Sequence, residues 1–192
     1  MRAIATTSGA VSATATPNIG AATATTVNGL TITSSTGTLT VPNGVTVARG
    51  QFPGTATNDT ATAGNIGEYA ESDVATGSAV SLTSGVAANL TSMSLTAGMW
   101  RVWFIANYKP AATTNVVVTQ SSISTTSATL NNAGDRRVIV TPANVPAADF
   151  SAVHPGAVVS LSGTTTVYAV MQANFSVSTC AVYGRLMALR IR

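Results

Sequence analysis

The sequence predicts an all-β protein, in which an extended N-terminal β arm precedes a jelly-roll sandwich. Thr and Val are abundant, and branching at Cβ makes both residue types favour pleated strands. Only 8% of the 192 residues are charged, which excludes a helical bundle or coiled coil built on charged heptads. About seven or eight short alternating segments with intervening turns follow residue 79, a spacing typical of a sandwich.

Composition divides the chain into an arm at 1–48, a connector at 49–78 and a sandwich at 79–192. Residues 3–48 carry no charge, and an Asn-Gly turn separates two of the short alternating pieces of the arm. The apolar faces of these pieces are too small to stabilise an isolated hairpin, so we expect them to be buried in an assembly. The candidate assembly residues of the arm are Leu30, Ile32, Leu39, Val41, Val45 and Val47.

The connector combines Gly, Pro and Asn turn chemistry with most of the acidic residues of the chain. We therefore expect it to be irregular and solvated. The strands predicted after it are 79–83, 86–95, 99–109, 116–123, 137–141, 165–177 and 179–191.

Segment 99–109 is the clearest strand. Alternate residues from Trp100 to Tyr108 form a continuous core face, whereas Trp103 and Ile105 point the opposite way and are too apolar to face water. Segment 165–177 likewise has a core face on one side and further apolar residues on the other. The economical explanation is a second copy of the domain packed around an axis. The candidate interface residues are Trp103, Ile105, Tyr168 and Val170.

Five phrases of the sequence resemble segments of virion structural proteins of tailed bacteriophages. They are NGLTITSSTGTLTVPNGVTV at 28–47, GNIGEYAES at 64–72, SLTAGMWRVWFIANY at 94–108, TTTVYAVMQANFSVST at 164–179 and AVYGRLMALRIR at 181–192. The strand pattern is also similar to the trimeric jelly roll of the C1q and tumour-necrosis-factor type. The resemblance implies a homotrimer on the virion surface, assembled in the cytoplasm of the host bacterium. The partners it implies are capsid, portal or collar, or tail proteins, bound through the arm.

Three functions remain open from the sequence. The first is a short trimeric surface fibre or spike anchored by its N-terminal arm. The second is a capsid decoration or cement protein that stabilises the head. The third is a receptor-binding module for a host surface glycan, for which the loops at 107–115 and 131–135 are the candidates.

The sequence predicts no enzyme, catalytic residue, cofactor or metal site. His154 is the single histidine; it precedes Pro155, and we interpret it as a loop or interface residue because it lacks the neighbours that catalysis needs. Cys180 alternates with Val182, which predicts a small buried apolar residue. The acidic residues of the connector lack the spacing of a calcium loop.

Charge and hydropathy argue against two further classes of partner. The net charge is +3, and the basic residues are scattered, so no nucleic-acid footprint is expected. No run of about 18 apolar residues occurs, so no membrane insertion is expected.

Overall fold

The computed structural model describes residues 60–134, 136–141 and 148–192, and the regular secondary structure of this part of the chain is almost entirely β. It contains nine strands and one 3-10 turn, Thr76–Ser78. The strands are β1 (Tyr69–Val74), β2 (Val80–Leu82), β3 (Ala88–Leu95), β4 (Gly98–Pro110), β5 (Asn115–Ser124), β6 (Arg137–Val140), β7 (Phe150–Leu161), β8 (Thr165–Ser176) and β9 (Cys180–Arg190). The predicted arm, with its six candidate residues, lies outside the described residues.

The strands form two antiparallel sheets that pack face to face. Sheet A has the order β1-β9-β4-β7, with β2 also paired to β9, and sheet B has the order β3-β8-β5-β6. Because β1 and β2 share one edge of β9, they occupy a single strand position. We number this shared position 1 and the strands β3 to β9 as positions 2 to 8. The order is then 1-8-3-6 in sheet A and 2-7-4-5 in sheet B, which is the strand order of a jelly roll. The predicted all-β sandwich is confirmed.

The core lies between the sheets and is built from the inward faces of the long strands. On β4, each alternate residue from Trp100 to Tyr108 is at most 1% exposed, as the alternation predicts. The hydroxyl of Tyr108 reaches across the core and donates to the carbonyls of Gln120 on β5 and Gln172 on β8, at 3.0 and 3.1 Å. Burial is the main reason that the pKa of this hydroxyl is raised above its ordinary value.

Two strands occur where the sequence predicts irregular chain. Residues 69–74 of the connector form β1, which pairs with β9 over its whole length and turns Ala70 and Val74 toward the core. The stretch around His154 and Pro155 is wrongly predicted as a loop, because it belongs to β7. Pro155 is tolerated there because β7 is an edge strand with a bulge opposite Trp103, where the register with β4 shifts.

Candidate functional site

The four candidate interface residues lie on opposite outer faces of the sandwich. Trp103 and Ile105 are on the outward side of β4 in sheet A. Tyr168 and Val170 are on the outward side of β8 in sheet B, opposite the buried residues of the same strand. The structure therefore does not bring the four residues into one surface.

Val170 is buried by its own chain. Its exposed fraction is 0%, and its register neighbours are Asn89 on β3 and Ser122 on β5. The segment after β5 hydrogen-bonds to both: the backbone N–H of Ala128 donates to Asn89 Oδ1 at 2.7 Å, and that of Asn131 donates to Ser122 Oγ at 2.8 Å. The burial of Val170 thus needs no second copy.

The outward side of sheet A is different, because apolar side chains remain open to solvent there. Ile105 is 45% exposed, and its register partner on β7, Val153, is 57% exposed. Trp103 is half-buried beside Met187, its register partner on β9, and its ring centroid lies 6.4 Å from that of Tyr69. We call this surface the outer A face; its apolar members are Tyr69, Trp103, Ile105, Val153, Val158, Met187 and Leu189.

Charged residues border the outer A face on the β1 side. The Arg185 guanidinium donates to Asp73 at 2.8 Å and lies 3.3 Å from Glu71. The hydrogen bond to Asp73, and then the charges of both carboxylates, raise the pKa of Arg185. These side chains are about half exposed, so solvent screening keeps the contribution of the pairs to stability small.

A groove of about 540 Å³ opens on the outer A face over Gly184. Its wall at one end carries Tyr183, whose hydroxyl donates to Asp149 at 2.9 Å, and that hydrogen bond raises the pKa of Tyr183. The lining combines apolar and polar side chains and consists of Asp73, Val74, Ala75, Ile105, Asn107, Tyr183, Gly184, Arg185 and Met187. Such a lining suits a ligand with both apolar and hydroxyl-bearing faces.

Gly184 forms the floor of this groove because no side chain fits there. It has φ +153°, and a Cβ atom would lie 2.1 Å from the carbonyl oxygen of Ile105 on β4. The close approach of β9 and β4 at this point therefore requires glycine.

His154 lies in the core, which corrects its prediction as a loop or interface residue. It is 1% exposed, because alternation along β7 turns it inward, and its ring centroid is 5.1 Å from that of Phe104. The backbone N–H of Gly156 donates to its Nδ1 at 3.2 Å. With 1% exposure, the imidazole is closed off from solvent.

Cys180 is buried, as predicted, with 1% exposure at the start of β9. Burial raises the pKa of its thiol to about 11, so the thiolate needed for nucleophilic attack is scarce near neutral pH. Among the described residues, no group of three or more His, Cys, Asp or Glu side chains is placed to hold a metal ion. No helix of this part of the chain is long and apolar enough to cross a membrane.

Comparisons with known proteins give only distant structural likenesses. No family model matches the sequence, and no curated protein matches it. The solved chains similar in fold include two from a virus. One, from infectious bursal disease virus Gx strain, has a TM-score of 0.41 and 10% identity over 73% of this chain. The other, from the Gt strain of that virus, has a TM-score of 0.39 and 12% identity over 73% of this chain.

This chain spans 38% and 36% of the length of those two viral chains. TM-scores below 0.5 define neither a family nor a function, and a shared fold does not imply a shared role.

Proposed function

We propose that this chain is a non-enzymatic structural protein of a virus particle, and more specifically a short trimeric surface fibre or spike of a tailed bacteriophage. The observation that carries the proposal is the outer A face, where Trp103, Ile105 and Val153 form an open apolar surface on a sandwich that already has a complete core. A chain that exposes such a surface gains stability by associating with another.

A second copy of the same chain is the proposed occupant of the outer A face. Trp is enriched in the centre of protein interfaces, and half-buried Trp103 lies beside Met187 on β9 and 6.4 Å from the Tyr69 ring. Arg101 and Arg185 would then lie at the polar rim of the interface. Each Å² of apolar surface that the second copy covers stabilises the association by about 25 cal/mol.

The arm supplies the proposed attachment to the particle. A stretch of 46 residues without charge, 3–48, is suited to burial against capsid, portal or collar, or tail proteins. If those partners are capsid subunits alone, the chain is instead a decoration or cement protein that stabilises the head. Electron microscopy of labelled particles distinguishes the two roles by the position of the label on head or tail.

Sedimentation of the full chain at several concentrations tests the association. The expected mass is three times the 19.2 kDa of one chain, and Trp103→Ala should weaken association by about 2–4 kcal/mol with an unchanged β-signal in circular dichroism. Val117→Ala is the matched control, because Val117 is 53% exposed but lies on sheet B. A wild-type monomer at micromolar concentration contradicts the proposal.

Single charges in the arm test attachment without shortening the chain. Ile32→Asp should prevent incorporation into particles, because alternation predicts that it places a carboxylate on the apolar face, whereas Thr33→Asp on the predicted opposite face should be tolerated. Equal incorporation of both variants would place the attachment elsewhere.

The groove over Gly184 favours a second candidate function, which is binding of a host surface glycan. Tyr183 contributes an aromatic ring and Asn107 an amide to the lining of the groove, and sugars use both kinds of contact. Because Ile105 and Met187 line this groove and also belong to the outer A face, glycan binding there is an alternative to covering of that face by a second copy. Titration of soluble host polysaccharide should show binding by the wild-type chain that Tyr183→Ala abolishes with an unchanged β-signal in circular dichroism. Absence of binding by the wild-type chain eliminates this candidate.

A further inference from the structure

The nine residues that precede β1 form a compact strap against the end of sheet A. This strap, residues 60–68, turns at Gly64 and Gly67, whose φ angles of +90° and +92° suit glycine. The Glu68 carboxylate closes the turn by accepting the backbone N–H of Gly64 at 2.8 Å. The strap is therefore an ordered element rather than a simple leader to the strand.

Backbone hydrogen bonds join the strap to the last residue of β9. The N–H of Gly67 donates to the carbonyl of Arg190 at 3.0 Å, and the N–H of Arg190 donates to the carbonyl of Glu68 at 2.8 Å. At the other end of the strap, Thr60 Oγ1 accepts the backbone N–H of Tyr69 at 2.8 Å. Both ends of the strap are thus attached where β1 begins.

The side chain of Arg190 is the buried centre of this attachment. It is 4% exposed, and its Nε donates to Glu68 Oε2 at 2.8 Å. Its two terminal nitrogens donate to the carbonyl of Ala97 at 2.7 Å and to the hydroxyl of Thr96. Its guanidinium carbon lies 4.4 Å from the centre of the Trp100 ring, which adds a cation–π contact.

The neighbouring backbone is shaped to admit this arginine. Gly98 has φ +142°, and a Cβ atom there would lie 1.9 Å from Arg190 Nη1. Glycine at position 98 therefore leaves the space that the guanidinium of Arg190 occupies.

The strap contributes nothing to the hydrophobic core. The core and the partly buried apolar residues packed on it begin at Ala70, and Ile66 of the strap is 73% exposed. An element held by polar contacts alone can open without exposing the core, so its opening is a local event. When Glu68 moves away, the Arg190 guanidinium still has its hydrogen bonds to Ala97 and Thr96 and its contact with the Trp100 ring. These contacts lower the free energy of the open state.

We propose that residues 60–68 are a strap that opens independently of the sandwich, and that the buried Arg190–Glu68 pair is the lock that keeps it closed. The closed strap holds residue 60 beside the start of β1. Opening the lock releases these nine residues from sheet A while the sandwich stays folded. This inference does not depend on the proposed role in a virus particle.

Hydrogen exchange of the full chain, read by mass spectrometry, tests the lock. In Glu68→Gln the shape is kept but the charge is lost, so the amides of Gly64 and Gly67 should exchange at least about tenfold faster than in the wild type. The amides of β4 should keep their wild-type rates. Glu68→Ala should give a larger acceleration in the same residues.

Asp73→Asn is the matched control, because Asp73 on β1 pairs with Arg185 on β9 through half-exposed side chains outside the strap. It should leave exchange of the strap unchanged. Wild-type exchange rates in Glu68→Ala, or equal acceleration in Asp73→Asn, would overturn the proposed lock. Equal acceleration of β4 and the strap would show that the strap opens only with the whole sandwich, and would overturn its independence.

Discussion

The imidazole of His154 packs against the ring of Phe104, with the two centroids 5.1 Å apart and the planes inclined by 34°. The two residues are register partners on β7 and β4, and both point into the core. At 1% exposure, the single histidine of the chain is part of the packing between the two sheets.

His154→Ala should destabilise the fold. Removing the ring leaves a cavity against Phe104, and comparable core truncations cost about 2–4 kcal/mol in free energy of unfolding. Chemical denaturation measures the loss. Ser160→Ala on the exposed side of the same strand is the control and should stay within about 0.5 kcal/mol. A loss at His154 no larger than in the control would place the imidazole outside the packed core.

Gly184→Ala should destabilise the chain by about 3 kcal/mol or more, because the new Cβ would lie 2.1 Å from a carbonyl oxygen of β4 and φ is +153°. Gly77→Ala is the matched control, since a Cβ there meets no atom within 4 Å. Thermal unfolding of the two variants compares them directly. Similar melting temperatures for both variants would contradict the close approach of β9 and β4.

Cys180 should resist alkylation in the folded protein. Burial raises the pKa of the thiol from its ordinary value of 9.0 to about 11, so at pH 8 the folded chain holds about 100-fold less thiolate than the unfolded chain. Iodoacetamide labelling with and without denaturant measures the ratio.

The same thiol should make stability depend on pH. Because the thiol of the unfolded chain ionises at a lower pH than that of the folded chain, the free energy of unfolding should fall as pH rises from about 9 to 11. Rapid labelling of the native chain would contradict the burial.

The strap should open in acid, at a pH below the ordinary pKa of a glutamate side chain. The Gly64 hydrogen bond, and next the Arg190 hydrogen bond, lower the pKa of Glu68 from 4.5. The stabilisation of the closed strap is therefore complete above pH 4.5 and is lost as pH falls through the lowered value. The NMR shift of the Gly64 amide proton should report a midpoint below 4.5. A midpoint at or above 4.5, or the same titration in Glu68→Gln, would contradict this assignment.

The sequence by itself determined the features that depend on local alternation. The two faces of β4, the burial of Cys180 and the all-β class all follow from a period of two, because successive side chains of any strand point to opposite sides. The same alternation correctly places Trp103 and Ile105 on the side opposite the core.

The tertiary structure decided the features that depend on a distant partner. Strand β1 exists because β9 offers it an edge, and β7 continues through Pro155 because a bulge on an edge strand tolerates the missing N–H. Val170 is buried because the segment after β5 crosses sheet B, and Arg190 is buried because Glu68, 122 residues earlier, meets it. These contacts join residues far apart in the chain, so they leave no repeating pattern in the local sequence from which they could be predicted.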